Sequence, residues 1–202
     1  VDGVVRLQLV KRNEAVLGQV IPPRRTGRVT ISGFSITSGW ELAPLLPPLP
    51  LKIEFIGDSD TAAFGNEGPP TELKLHRFLS LDNKYQNISN SSGHCLCRML
   101  NAEPSVVAWS GVGVHQNAVA CGNTLLRDYY QRNLASSDAH LHDFGDDWVP
   151  QLVICHVGAN DLYGGKKTPS HDDFVESYAG LLDLVREKRP SAIILCCVYS
   201  LE

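Results

Sequence analysis

The sequence predicts an α/β fold in which a parallel sheet is covered by helices on both faces and preceded by a small β region. Three observations predict it. Four strand-length apolar runs occur along the chain, and the first three lead into glycines; a helical apolar pattern precedes the fourth; and a proline-rich segment separates this rhythm from the first fifty residues.

The first fifty residues predict consecutive antiparallel strands. Short apolar runs at residues 4–10, 16–21 and 29–36 alternate with Gly, Pro and Thr, and no helical period appears. Residues 45–50 follow with three prolines, which can enter neither a helix interior nor a central strand. We therefore place a domain boundary there, with residues 1–50 as the β domain and residues 51–202 as the second domain.

Beyond the prolines, the pattern becomes strand, helix, strand, helix. The four predicted strands are residues 53–56, 106–109, 152–157 and 192–198. Because these runs are almost continuously apolar, they are typical of a parallel sheet that is buried on both faces. Residues 174–188 repeat apolar side chains at helical spacing, begin after two aspartates and end on basic residues before a proline, which predicts an amphipathic helix.

Composition excludes some partners. The chain has 202 residues, 18 Lys+Arg and 22 Asp+Glu, and hence a formal net charge of −4. Its basic residues are scattered, so the sequence offers no charged footprint for nucleic acid or an anionic membrane surface. No apolar run reaches the length of a transmembrane helix.

Cysteine usage favours buried free thiols over disulfides. Two of the six cysteines are adjacent in an apolar run, and Cys155 lies in another such run. Cys95 and Cys97 lack both the spacing and the second ligand pair of a usual zinc site. We therefore predict neither a metal nor a cofactor. The six cysteines are Cys95, Cys97, Cys121, Cys155, Cys196 and Cys197.

Three small polar clusters follow the first three predicted strands of the sheet. In open α/β sheets, ligands bind outside the carboxyl ends of the strands, so these clusters are expected to meet at one edge. One alone would be ordinary turn chemistry, with an Asp, Ser or Asn capping the next segment. The clusters are Gly57-Asp58-Ser59, Ser110-Gly111-Val112-Gly113 and Gly158-Ala159-Asn160-Asp161.

These three clusters resemble the first three sequence blocks of the SGNH (GDSL-type) hydrolases. Longer segments are similar to one branch, carbohydrate esterase family 2: LVKRNEA at residues 9–15, IEFIGDSDT at 53–61 with FGN at 64–66, and WSGVGV at 109–114. The resemblance implies a flavodoxin-like three-layer parallel sheet preceded by a partial β jelly-roll. It also implies a serine esterase that removes acetyl or other small acyl groups from a carbohydrate or similar polyol.

The resemblance assigns roles that agree with the chemistry of the residue types. Ser59 becomes the nucleophile, at a predicted strand-to-helix turn where its N–H lies at the positive end of a helix. The Ser59 N–H, the Gly111 N–H and the Asn160 amide become donors to the anionic oxygen of the intermediate. Supporting roles in the loops fall to Gly57, Asp58, Gly113, Gly158 and Asp161.

One part of the family pattern has no counterpart here. A serine nucleophile needs a base, and the family histidine follows the strand that corresponds to residues 192–198. The sequence ends at Glu202, so no residue is matched to this base, and we expect either a fragment of a longer protein or a degenerate relative. Asp60 also departs from the family, where an apolar residue is usual; a carboxylate there would oppose the oxyanion.

Two other functions remain open at this stage. The unmatched base and Asp60 also fit a catalytically inactive structural or assembly subunit, with protein partners, built on the hydrolase fold. The predicted β domain with Trp40 also fits a carbohydrate-binding module, although a single Trp is more often a packing residue. Among the histidines, His156 is expected in the core, and only His115 is close in sequence to a site loop.

Overall fold

A computed structural model describes residues 7, 9–14, 29–44, 46–68, 85–119, 121–135 and 137–197 of the chain. The elements, in chain order, alternate between strands and helices. They are β1 (Leu51–Gly57), a 3₁₀ turn (Ile88–Asn90), α1 (Ser92–Leu100), β2 (Ala102–Ala108), α2 (Leu126–Tyr130), β3 (Leu152–His156), α3 (Ala159–Tyr163), α4 (His171–Lys188) and β4 (Ile193–Cys197).

The four strands form one parallel sheet in the order β2-β1-β3-β4. The predicted parallel α/β sheet is therefore confirmed, and each predicted strand coincides with an observed one to within a few residues. In register, Gly57 pairs with both Ala108 and His156, and His156 pairs with Cys197. All four strands thus end at the same level, which places the chain segments that follow β1, β2 and β3 side by side.

Helices cover the two faces of the sheet unequally. The larger core joins alternate residues of β1 and β3, among them Ile56 and Val153, to apolar side chains of α2 and α4. The smaller core joins Ile53 and Phe55 to Cys97 of α1. Gly93 of α1 lies so close to the Phe55 ring that an added Cβ would be 3.1 Å from it. A larger side chain here would require the Phe55 ring to shift, so the glycine allows a close approach of the helix to the sheet.

Helix α4 ends at Lys188 as the sequence predicts, but it begins at His171, before the predicted start at residue 174. Ser170 is the N-cap and its hydroxyl accepts the N–H of Asp173 at 3.2 Å, while Asp172 and Asp173 lie in the first turn. At the other end, the Arg189 N–H donates to the Val185 carbonyl. None of the helices in the described ranges is long and apolar enough to cross a membrane.

The predicted strand at residues 29–36 is wrong. These residues are irregular and exposed, because no described segment offers them a hydrogen-bonded partner strand. Most of residues 4–10 and all of residues 16–21 lie outside the described residues, so the partial jelly-roll and the boundary at residue 50 stay predictions. Residues 46–50 are irregular and exposed as well.

All six cysteines are free, but they are not all buried as expected. Cys97, Cys121 and Cys155 are buried, and burial raises the pKa of the Cys155 thiol to about 12, which makes it a poor nucleophile. Cys196 is exposed. The difference arises because β4 follows β3 as the last strand of the described sheet, where helices cover its faces only in part.

Candidate active site

The three predicted site loops converge at the carboxyl edge of the sheet. Gly57 ends the central strand β1, and an added Cβ there would lie 2.1 Å from Thr61 Oγ1 and 2.5 Å from the His156 carbonyl oxygen. No side chain larger than hydrogen fits between these atoms. Gly57 thus allows the loops after β1 and β3 to approach each other closely.

Ser59 lies in a series of turns and not at the start of a regular helix, so this part of the prediction is wrong. The Ala62 N–H donates to the Asp58 carbonyl at 2.9 Å, and the Phe64 N–H donates to the Ser59 carbonyl at 2.9 Å. Ala63 adopts a left-handed conformation with φ 62°. This conformation turns the chain out of the helical path, so Ser59 does not gain the dipole of a helix.

Ser59 and Gly111 carry the hydrogen-bond donors that are left unused. In the described part of the chain, no acceptor pairs with the Ser59 N–H, the Ser59 hydroxyl or the Gly111 N–H. Gly111 has φ 80°, and an added Cβ would lie 2.3 Å from Cys121 Sγ. Only glycine fits this conformation and this contact. Ser59 and Gly111 are both partly buried, so these donors lie at a partly buried sheet edge.

Asn160 ties the three loops together. Its Nδ2 donates to Asp58 Oδ2 at 3.3 Å and to the Val112 carbonyl at 2.9 Å. Both partners are acceptors, so the amide nitrogen must face them. Asp58 is fully buried, and its other oxygen accepts the Asp60 N–H at 3.3 Å. Both hydrogens of the Asn160 amide are therefore engaged within the loop cluster.

Asp161 organises the loop that follows β2. Its buried carboxylate accepts three consecutive backbone N–H groups, from Val114 at 3.1 Å, His115 at 2.7 Å and Gln116 at 2.8 Å. A Cβ added to Gly113 would lie 2.5 Å from Asp161 Oδ2. The carboxylate thus fixes the loop by accepting its consecutive backbone N–H groups, and Gly113 leaves room for the carboxylate to come close.

Two more residues hold the site loops in shape. Gly158 precedes α3 with φ 130°, and its missing side chain makes room for the Phe174 ring, 3.2 Å from where a Cβ would lie. Asn117 is buried and was not predicted; its Oδ1 accepts the Gly113 N–H at 3.0 Å, and its Nδ2 donates to the Thr124 carbonyl at 2.9 Å. A single Asn in a polar loop carries no signal that would have distinguished it.

Glu14 is a second residue that the sequence analysis left without a role. Its Oε2 accepts the Ser110 N–H at 2.8 Å, and its Oε1 accepts the Ser110 hydroxyl. Burial raises the pKa of the Glu14 carboxyl, and the hydrogen bonds from Ser110 and Gln86 and the nearby Lys11 charge act in the opposite direction. Glu14 lies within residues 9–15, one of the segments that carry the family resemblance, and this was the available signal.

Two histidines, His115 and His156, lie close in sequence to the site loops. His115 Nδ1 lies 2.9 Å from Ser177 Oγ of α4, and His156 is only partly buried at the end of β3, which corrects its expected place in the core. The Asp60 side chain is exposed. Within the described ranges, no group of three or more His, Cys, Asp or Glu side chains is arranged to hold a metal ion.

Comparison with known proteins identifies the relatives of this chain. It is 36% identical over 197 residues to the cellulase/esterase CelE of Acetivibrio thermocellus, covering 98% of this chain and 22% of that protein. It is 30% identical over 119 residues to an acetylxylan esterase/glucomannan deacetylase of Cellvibrio japonicus, covering 58% of this chain and 31% of that protein. No protein-family profile matches the chain.

A solved structure gives the same result. A family two carbohydrate esterase from Clostridium thermocellum, in complex with cellohexaose, matches with a TM-score of 0.70 and 35% identity, over 80% of this chain and 47% of that chain. The predicted resemblance to family 2 carbohydrate esterases, with their SGNH-type α/β sheet, is confirmed. The chain spans less than half the length of each of these proteins.

Proposed function

We propose that this chain forms the acyl-binding edge of a serine esterase. Its homologues and structural neighbours are family 2 carbohydrate esterases, which supports the proposal. The substrate is an acetylated or otherwise acylated carbohydrate or similar polyol. One observation carries the proposal: within the described residues, no acceptor pairs with the Ser59 hydroxyl or with the N–H groups of Ser59 and Gly111, which lie at one sheet edge next to loops tied together by Asn160.

The reaction follows from what these groups can do. Ser59 Oγ attacks the ester carbonyl carbon and passes its proton to a general base, and the carbonyl electron pair moves onto oxygen, where the Ser59 and Gly111 N–H groups donate to it. Collapse of this intermediate breaks the bond to the sugar oxygen, which takes that proton from the base. Water then attacks the acyl-serine ester and gives a proton to the base, the acid is released, and the base returns the proton to Ser59 Oγ.

Asn160 is the third proposed donor, and it must first give up one hydrogen bond. Of its two bonds, the 3.3 Å contact to Asp58 is longer than the 2.9 Å contact to Val112 and is the weaker. We expect a substrate oxyanion to take over that hydrogen. Asp58 would keep its hydrogen bond from the Asp60 N–H, so the exchange leaves the buried carboxylate with a partner.

The base is the part of the mechanism for which we propose no residue from the described part of the chain. The family histidine follows the strand that corresponds to β4, and β4 ends level with Gly57 because Cys197 pairs with His156, which pairs with Gly57. A histidine that followed β4 in the full-length protein would therefore start from the same edge as Ser59. Nothing in the described residues favours the non-catalytic alternative over this reading.

Fluorophosphonate labelling combined with aryl acetate hydrolysis tests the proposal on the full-length protein. We expect covalent labelling and hydrolysis by the wild type and loss of both, by about 1000-fold or more, in Ser59→Ala, because the nucleophile is gone. Ser92→Ala, at an exposed position on α1, is the matched control and should label like the wild type. Equal labelling of Ser59→Ala, or no reaction by the wild type, contradicts the proposal.

A further inference from the structure

Glu14 lies far from the sheet edge in sequence but directly against it in space. Its carboxylate takes both hydrogen bonds that Ser110 can donate, one from the backbone at 2.8 Å and one from the hydroxyl. Ser110 is the residue before Gly111. The peptide that carries the Gly111 N–H therefore starts at a residue held by Glu14.

Gly111 needs such a restraint from outside. Its missing side chain leaves the peptide planes on both sides of it free to rotate. The following peptide is held, since the Ala118 N–H donates to the Gly111 carbonyl at 2.9 Å. For the preceding peptide, which contains the Gly111 N–H, the described residues provide no hydrogen bond to that N–H itself. The hydrogen bonds between Glu14 and Ser110 are thus the nearest described polar restraint on the orientation of the Gly111 N–H.

The same segment also reaches the loop of Ser59. The Glu14 N–H donates to Gln86 Oε1 at 3.2 Å, and Gln86 Nε2 donates to the Ala62 carbonyl at 2.8 Å. Gln86 is 1% exposed, so water does not compete for these bonds. Ala62 in turn donates to the Asp58 carbonyl, next to Ser59. A continuous chain of hydrogen bonds therefore joins Ser110, through Glu14 and Gln86, to the turn that contains Ser59.

We infer that Glu14 is a positioning residue that sets the Gly111 N–H against the Ser59 N–H, so that both can donate to one oxygen. This inference rests on the proposed esterase function. A donor must lie within hydrogen-bond distance of the oxyanion, and misplacement by about 1 Å costs about 100-fold in rate. The Glu14 carboxylate acts on the reaction only through Ser110 and Gly111.

Kinetics of variants of the full-length protein test this inference. We expect Glu14→Ala to lower kcat for an aryl acetate by about 10- to 100-fold with KM within about threefold, because the misplaced donor acts on the transition state. Glu14→Gln keeps one oxygen for the Ser110 N–H and should restore kcat to within a few-fold of the wild type. Ser110→Ala, which keeps only the backbone bond, should fall between them.

Arg12→Ala is the matched control. Arg12 lies in the same segment, and its partly exposed side chain pairs with Glu67 at 3.2 Å. Its kcat should stay within twofold of the wild type. A folded Glu14→Ala protein with unchanged kcat, or one that changes no more than Arg12→Ala, overturns the inference. If Glu14→Ala does not fold, the comparison of Glu14→Gln with Ser110→Ala decides in its place.

A spectroscopic measurement separates this inference from the proposed function. In ¹H–¹⁵N spectra, Glu14→Ala should shift the Ser110 and Gly111 amide signals and speed hydrogen exchange at Ser110, Ser110→Ala should shift the Gly111 amide, and Arg12→Ala should leave these amides unchanged. This result supports positioning by Glu14 even if the wild type hydrolyses no ester, in which case only the proposed function fails. An unchanged Gly111 amide in Glu14→Ala or, if that variant does not fold, in Ser110→Ala overturns the inference.

Discussion

Two buried carboxylates in this molecule are stabilised in opposite ways. Glu54, within β1, is 1% exposed and forms an ion pair with Arg189 through contacts of 3.2 and 3.3 Å, and the Tyr130 hydroxyl donates to it at 3.0 Å. Asp161, at the carboxyl edge, is also 1% exposed, but three backbone N–H groups donate to it. One carboxylate is neutralised by a cation and the other by peptide dipoles.

The different partners of Glu54 and Asp161 suggest different roles, one in the stability of the core and one in the shape of the sheet edge. The Arg189 guanidinium also stacks on Phe144, 4.9 Å from the ring centroid, so the Glu54 pair belongs to the packed core. Burial raises the pKa of the Tyr130 hydroxyl, which keeps it protonated as a donor to Glu54. At the edge, Asp161 shapes a loop of backbone donors instead. We therefore expect changes in the core to affect folding and changes at the edge to affect the reaction.

Arg189→Met should have the largest effect on stability. It leaves Glu54 buried without its cation, and breaking a buried pair in this way costs about 3–5 kcal/mol in the free energy of unfolding. Urea denaturation measures the loss, and fluorophosphonate labelling of the remaining folded protein should proceed at the wild-type rate. The double variant Glu54→Gln with Arg189→Met should recover part of the stability. A slower labelling rate in folded Arg189→Met would break the separation of core and edge.

Asp161→Asn should cost less stability and more activity. The amide keeps one acceptor oxygen but turns its NH₂ toward backbone donors, which costs about 1–3 kcal/mol in the free energy of unfolding. The loop that begins at Gly111 should loosen, and ester hydrolysis should fall by about tenfold or more. Urea denaturation and aryl acetate kinetics on the same sample test both. If hydrolysis falls only in proportion to the unfolded fraction, Asp161 is a stability residue like Glu54.

The edge should also respond to pH through Glu14. Burial raises its pKa in the folded protein, so the folded state holds a proton more tightly than the unfolded state. This contribution is fully present below the unfolded pKa and is lost as pH rises through the folded pKa, with a slope of at most about 1.4 kcal/mol per pH unit.

Denaturation of wild type and Glu14→Gln across acidic pH measures this contribution. The free energy of unfolding of the wild type, relative to Glu14→Gln, should decline as pH rises and then level off. A relative stability that stays constant over the whole acidic range, or rises with pH, would show that the Glu14 pKa is not raised. Because Glu14→Gln is the reference, the contributions of the other carboxyl groups to the pH dependence of stability cancel.

Asp60→Asn should have the smallest effect. The Asp60 side chain is exposed, so water and salt screen its charge from the predicted oxyanion. We expect a change within about 0.5 kcal/mol in the free energy of unfolding. Hydrolysis should rise by less than about threefold, and the gain should shrink at high salt. A tenfold gain that persists in high salt would mean that Asp60 acts at the edge as a buried charge would.

Much of the sheet could be predicted from local patterns. The four strands are short apolar runs, as is typical of a parallel sheet, and α4 shows its apolar stripe and its terminal charges in sequence. The pattern at residues 29–36 looks equally like a strand but is irregular and exposed in the structure. An apolar pattern shows only which side chains favour a strand. A strand also needs a hydrogen-bonded partner strand, and a local pattern carries no information about that partner.

The sequence by itself determined the order of strands and site loops and the residue types at the sheet edge, since glycines and polar residues after buried strands are local features. Only the tertiary structure decided that turns follow Ser59, that the Asn160 amide donates hydrogen bonds to two loops, and that Glu14 binds Ser110 across 96 residues of sequence. Hydrogen bonds between such distant residues depend on how the elements pack, and no spacing in the chain encodes them.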